Sequence, residues 1–144
     1  MPVLPLTVWH NRFMRKPELD YAFLASYAAI RGGSLTALDA SFTSMRVPKQ
    51  QRQIEFSLAG RIRADAKAQT IPLRIEVALP GGHAIAAADV DLPTKNAAHY
   101  DGKTGVLFSF RFNLPVVNEG LYVIHVLVDG EKSRVLKFNL VLES

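Results

Sequence analysis

The sequence predicts an all-β fold, an antiparallel sandwich of about seven to eight strands, and three observations carry that expectation. Apolar residues recur at alternate positions in four separate segments, which is the period of a strand with one buried face. Gly-Gly and Asp-Gly pairs fall between such segments, where tight hairpin turns need backbone conformations that glycine adopts freely. A chain of 144 residues, 49% hydrophobic and 21% charged, has the balance of one ordinary globular domain.

Along the chain, residues 1–17 read as an N-terminal arm and residues 18–144 as a single sandwich domain. The arm sets Trp9, Phe13 and Met14 among His10, Arg12, Arg15 and Lys16, with neither strand alternation nor a helical stripe. Those three apolar side chains are candidates for partner binding. From Leu19 to Ile30 (LDYAFLASYAAI), the alanine content and the flanking Pro17 and Gly32 favour a helix by local propensity. Tyr21, Phe23, Tyr27 and Ile30 equally suit a buried strand. Gly32-Gly33 then suits a turn into a partner strand over Ser34–Met45, where a change of apolar parity between Leu35 and Leu38 predicts a bulge.

The clearest strands follow. Ile54, Phe56, Leu58 and Ile62 alternate with Glu55, Ser57, Arg61 and Arg63; Ile71, Leu73, Ile75, Val77 and Leu79 alternate with Arg74, Glu76 and Ala78. A short strand is expected over Ala84–Asp91, and Pro93–Gly105 reads as the longest loop. Val106, Phe108, Phe110, Phe112 and Leu114 alternate with Ser109, Arg111 and Asn113. Leu121–Val128 is apolar on both parities apart from His125, which predicts a central strand covered on both sides. Asp129-Gly130 marks a hairpin turn into Leu136, Phe138, Leu140 and Leu142.

Two stretches carry a resemblance. Glu18–Pro48 resembles the opening hairpin, and Asn113–Val141 the closing hairpin, of an uncharacterised bacterial family known only as a domain of unknown function. The tail pattern of that family is matched by Pro115, Gly120, Tyr122, Asp129, Gly130 and Phe138. The resemblance implies an immunoglobulin-like β-sandwich, and implies that Leu19–Ile30 is a strand. It brings no activity and no catalytic residue.

The chemistry expected is correspondingly sparse. With 0 cysteines, thiolate catalysis, disulfides and cysteine zinc sites are excluded, and a reducing, cytoplasmic location in a bacterium or phage is expected. No apolar run approaches the ~18 residues of a membrane span, so no membrane association is expected. His10, His83, His99 and His125 show no metal-ligand spacing, and Asp89, Asp91 and Asp101 fit no calcium loop. No nucleophile elbow, phosphate loop or dinucleotide fingerprint occurs. No enzyme activity, cofactor, metal or catalytic residue is therefore expected. Tyr122, two residues after Gly120, has the placing of a tyrosine corner, a structural role.

The net charge of +4 is uneven: residues 1–74 hold 11 Lys+Arg against 5 Asp+Glu, and residues 75–144 hold 6 against 8. Arg61, Arg63, Arg74 and Arg111 all fall on outward parity, so strands sharing one sheet would gather them into a basic face. The reading is a non-enzymatic protein-interaction or structural module, self-associating or bound to another protein, working through the arm or that face. The alternative is a small sugar or anion bound by the loops at Gly81–His83 and His99–Gly105, or an anion on the arginine face. Nucleic acid is the less expected partner, because stacking aromatics do not accompany the arginines in sequence.

Overall fold

The computed structural model describes residues 16–144. Trp9, Phe13 and Met14 therefore lie outside the described residues. The described chain forms eleven strands and no helix: β1 (Glu18–Ala25), β2 (Tyr27–Arg31), β3 (Ser34–Leu38), β4 (Ser44–Pro48), β5 (Gln53–Asp65), β6 (Thr70–Ala78), β7 (Ala84–Pro93), β8 (Ala98–Tyr100), β9 (Lys103–Pro115), β10 (Gly120–Val128) and β11 (Glu131–Glu143). A four-stranded sheet in the order β1-β5-β9-β8 faces a five-stranded sheet in the order β4-β11-β10-β6-β7, and β2-β3 form a separate hairpin.

The sandwich follows from the alternation. Ile54, Phe56, Leu58 and Ile62 of β5, Ile71, Leu73, Ile75 and Val77 of β6, and Tyr122, Ile124 and Val126 of β10 are all buried between the sheets. Burying each large apolar side chain stabilises by roughly 1.5–3 kcal/mol, which makes this layer the main favourable contribution to folding. One end of the layer is aromatic: Phe138 lies 5.1 Å from Tyr122, 5.3 Å from Phe56 and 5.5 Å from Phe42, ring centre to ring centre. Tyr122 is fully buried there and donates its hydroxyl hydrogen bond to the Asn118 carbonyl at 3.0 Å, as a tyrosine corner does. Burial pushes its phenol pKa up.

The all-β sandwich expectation holds, while its details change in five places. The strands number eleven rather than seven or eight, because two expected long strands each break and an expected loop holds a further strand, β8. Leu19–Ile30 is extended but divides at Ser26, whose amide and hydroxyl both donate to the Leu38 carbonyl, so β1 stays in the four-stranded sheet and β2 leaves it. Ser34–Met45 divides at Asp39 and Ser41, both with positive φ, into β3 and β4. The β2-β3 register runs unbroken, so the parity change at Leu38 is no bulge; Leu38 points to solvent instead. The expected loop over Pro93–Gly105 contains β8 and the start of β9, joined through Asp101-Gly102. One pairing is parallel: β4 runs beside β11 in register Leu140 with Met45.

The fifth difference concerns β10. It is central, between β11 and β6, yet only its inward residues are buried. Of its outward residues, Leu121 is 41% exposed, while Val123, His125 and Leu127 are half-buried. The turn that follows is as expected: Asp129 (φ 51°) and Gly130 (φ 81°) are both left-handed, the conformation a two-residue hairpin turn of this type demands.

Candidate interaction surface

The two outer faces of the sandwich are built differently. On the four-stranded sheet, register places Ala25, Ser57 and Arg111 in one row and Phe23, Ala59 and Ser109 in the next. Small side chains at the centre of these rows leave room for a covering layer. The β2-β3 hairpin supplies it: Ala28 packs with Ala25 and Ala59, flanked by Phe23, Leu35 and Ala37. Ser109 donates from its hydroxyl to the Ala28 carbonyl at 3.0 Å. Arg111 donates to the Ser26 carbonyl at 3.0 Å and to Glu55 at 3.2 Å, and its guanidinium lies 5.8 Å from the Tyr27 ring centre.

Beyond the hairpin this face becomes polar and aromatic. Arg61 lies 5.3 Å from the Tyr21 ring centre and 5.5 Å from that of Tyr100, and donates from Nε to Asp20 at 2.8 Å. That bond holds the Arg61 guanidinium pKa above its ordinary range. Asp20 reaches Arg61 because β1 shifts register between Leu19 and Tyr21. Arg63 stacks at 5.1 Å over Tyr100, and its Nε is buried without a hydrogen-bond partner. The adjoining cleft is lined by Lys16, Arg63 and Lys103 together with Glu18, Asp65 and Asp101, so its charges balance.

The four arginines expected to form one basic face therefore do not. Arg61, Arg63 and Arg111 share the four-stranded sheet, but Arg74 lies on β6 in the other sheet, where it pairs with Glu76 and Asp89. Carboxylates hold Arg61, Arg74 and Arg111. The two expected ligand loops do not share a site either. Gly81-Gly82 follows β6 close to Gly120, where an added Cβ would lie 3.1 Å from Pro80. Asp101-Gly102 lies at the opposite end of the sandwich, beyond the pairing of Asp65 with Lys103.

The outer face of the five-stranded sheet is the region that sequence reasoning missed. Its middle is the outward side of β10: Leu121, Val123, His125 and Leu127. Val135 of β11 stands beside His125, and is 43% exposed. On the opposite side of His125 stands Glu76 of β6, and beside Leu127 stands Arg74. His125 Nδ1 is buried without a hydrogen-bond partner. Lys137 and Lys132 of β11 flank the apolar column on one side; Glu76, Asp89 and Asp91 flank it on the other. A shallow groove of about 310 Å³ opens where Leu127, Arg74, Asp89, Pro72 and Asp91 meet. No segment among the described residues crosses this face. The signal in sequence was the apolarity of Leu121–Val128 on both parities.

Comparison with known proteins agrees with the architecture. The chain resembles the C-terminal domain of Wzt at a TM-score of 0.52 and 8% identity, covering 89% of this chain and 75% of that one. It also resembles an immunoglobulin-like protein from Pseudomonas aeruginosa (TM-score 0.46, 12% identity, covering 87% of this chain and 96% of that one). A third likeness is to the alkylpurine DNA glycosylase AlkC of Pseudomonas fluorescens (TM-score 0.44, 15% identity), where it covers 94% of this chain but spans only 33% of that enzyme. The likeness to the Wzt domain bears on the fold alone. A search of curated proteins finds no match. Residues 20–141 match a family described as a family of unknown function, DUF6941.

Proposed function

The chain belongs to that family of unknown function, and from this premise we propose that it is a non-enzymatic protein-interaction module whose working surface is the outer face of the five-stranded sheet. One observation carries the reading: a central strand, apolar on both parities apart from His125, has an outward side that is exposed at Leu121 and only half-buried at Val123, His125 and Leu127. Exposed apolar area at the centre of a polar rim is the usual composition of a protein-binding surface. The unpartnered Nδ1 of His125 in the middle of the column adds to it, since buried polar atoms are ordinarily satisfied. The non-enzymatic part rests on the sequence, where neither an activated nucleophile nor a phosphate-binding motif occurs. The reading includes residence in the cytoplasm, from the 0 cysteines.

The test is a photoreactive amino acid introduced at Leu121 in the cell of origin. It is expected to give a protein adduct that the same group at Thr36, on the solvent side of the hairpin, does not give. Adducts at neither position, or equally at both, would remove the reading.

A further inference from the structure

We infer that the free edge of β9 takes an extended segment of another protein as a further strand, continuing the line of β8 along residues 107–113. This surface is distinct from the outer face of the five-stranded sheet, and the inference does not rest on the reading above.

The backbone defines the position. β8 pairs with β9 only from Lys103 to Gly105, whereas β9 runs on to Pro115. Asp101 (φ 51°) and Gly102 (φ 71°) form a two-residue turn with both residues left-handed, so Tyr100 and Lys103 close the ladder as a pair that exchanges both hydrogen bonds. The odd-numbered residues of β9 therefore direct their N–H and C=O groups to the β8 side, and the even-numbered ones direct theirs to β5. The Val116 amide, which donates to the Arg52 carbonyl just before β5, fits the same alternation. Beyond Gly105, the backbone groups of Leu107, Ser109, Arg111 and Asn113 consequently point away from the sheet, with no backbone partner among the described residues. The β2-β3 hairpin takes up the side chains of Ser109 and Arg111 over the outer face but accepts no backbone bond from this edge.

Packing points to the same position. On β1, the edge strand at the other side of the four-stranded sheet, the inward residues Ala22 and Leu24 are 9% and 2% exposed. β7 is the edge of the facing sheet on the β8 side; it packs against β9 and joins β8 through residues 94–97 alone. Its inward residues Ala86, Ala88, Val90 and Leu92 are all only half-buried, as is the inward Phe110 of β9. The four-stranded sheet is one strand short over β7, except where the three residues of β8 lie. An apolar groove of about 290 Å³ opens at the head of this free edge, lined by Ile30, Pro93, Ala97, Ala98 and Leu107.

β9 lacks backbone partners where β7 lacks cover, and one extended peptide meets both needs. Residues 107–113 span roughly 24 Å at ~3.4 Å per residue. Alternate side chains of the added strand face Phe110, Ala88 and Val90 and must be apolar, and the smallness of Ala86 and Ala88 leaves room for branched ones. The others emerge beside Ser109 and Arg111 and are polar. A second copy pairing β9 with β9 does not fit, because its own β7 would enter the space that this β7 occupies. Residues 1–15 precede β1, at the far edge of the same sheet, and Lys16 is tied to Glu131 at the start of β11 at 2.6 Å. The segment is therefore assigned to a different protein.

The experiment supplies such a strand from a tether. The full-length chain has 0 cysteines, so Val117→Cys, at a position 54% exposed just beyond β9, gives a single anchor. A peptide Cys-Gly-Gly-Thr-Val-Thr-Leu-Thr-Val-Thr joined there through a disulfide runs antiparallel to β9, as β8 does, with its threonines opposite Leu107, Ser109, Arg111 and Asn113. Amide exchange is followed residue by residue. Before tethering, those four amides are expected to exchange fast while those of Phe108, Phe110 and Phe112 exchange slowly. Tethering is expected to slow the four at least about tenfold. N-methylation of the threonines, whose amides face β9, is expected to abolish the slowing; N-methylation of the valines and leucine, whose amides face away, is expected to leave it. No slowing, or equal loss with either methylated set, overturns the inference. Four slow amides in the untethered chain also overturn it, since the edge is then already filled: by residues 1–15 if Leu4→Asp with Leu6→Asp makes them fast, or by a second copy if dilution does.

Discussion

The two outer faces of this sandwich pose one problem and meet it in opposite ways. Both sheets are central-stranded and apolar beyond what the core alone requires. On the four-stranded sheet the chain covers the excess itself: Ser57 and Ala59 are 1% and 0% exposed beneath the β2-β3 hairpin, whose own contact residue there is Ala28. On the five-stranded sheet, Leu121 and Val135 stand exposed and Val123 half-buried in the equivalent places. Small residues mark a face closed by its own chain, because a second layer needs the room. Larger apolar residues mark a face left for something else.

The largest expected effect breaks that comparison directly. Ala59→Leu adds three heavy atoms to a fully buried site packed against Ala25 and Ala28, and overpacking of this kind costs about 2–3 kcal/mol. Ala87→Leu makes the same change on the exposed face, at a position opposite Glu76, and is expected to shift stability by less than about 0.5 kcal/mol. Chemical denaturation of the two variants decides it. Equal costs would mean that the hairpin is no closer packed than solvent.

A middle-sized effect sharpens the picture of what holds the hairpin down. Arg111→Ala removes donors to the Ser26 carbonyl, an exposed bond, and to the Ser57 hydroxyl, a partly buried one, a loss of roughly 1 kcal/mol. The contact with Glu55 is exposed and adds little. The loss is expected to be local: amide exchange of β2 and β3 should speed up while that of β10 and β11 is unchanged. Uniform acceleration across both sheets would show instead that the hairpin opens only with the whole domain.

How much of this could be read in the sequence depends on what each residue's neighbours are. Strands β5, β6, β9 and β11 were legible because one of their faces is core and the other is wet or polar, which writes a period of two into the chain. The tyrosine corner was legible because Gly120 and Tyr122 are two residues apart and the bond is local. The division at Ser26 was not, because β1 and β2 are both extended and nothing in LDYAFLASYAAI changes where the strand leaves its sheet. Nor was the hairpin's docking, which joins Ala28 to Ala59 and Ser109 across long stretches of chain. Its one trace is the smallness of Ser57 and Ala59 on an outward parity otherwise occupied by Glu55, Arg61 and Arg63. The arginines misled because parity fixes which side of a strand a residue occupies but not which sheet the strand joins, and Arg74 went to the other sheet. Leu121–Val128 was read as covered on both sides because apolarity records that cover is needed, not which chain provides it.

The smallest effect is expected within β10, whose alternate residues belong to the two environments. Val123→Thr, on the outward side, should stay within about 0.5 kcal/mol of the parent monomer. Tyr122→Phe, one residue away and fully buried, loses the hydrogen bond to Asn118 and should cost about 1 kcal/mol. The two can be separated further by pH. Burial raises the Tyr122 phenol above its ordinary value, so in the folded protein the neutral form is favoured relative to the unfolded chain. A raised pKa contributes stability that is fully present below the unfolded value of about 10 and is lost as pH rises through the folded value. The parent should therefore lose stability above about pH 10 more steeply than Tyr122→Phe, in which this titration is absent and every other group is retained. The advantage of the parent over Tyr122→Phe should accordingly shrink between neutral and alkaline pH, whereas its difference from Val123→Thr should not change. Urea unfolding of the three proteins at the two pH values measures both. An advantage over Tyr122→Phe that is independent of pH would show that the phenol titrates alike in folded and unfolded chains, and that the inward side of β10 is no drier than its outward side.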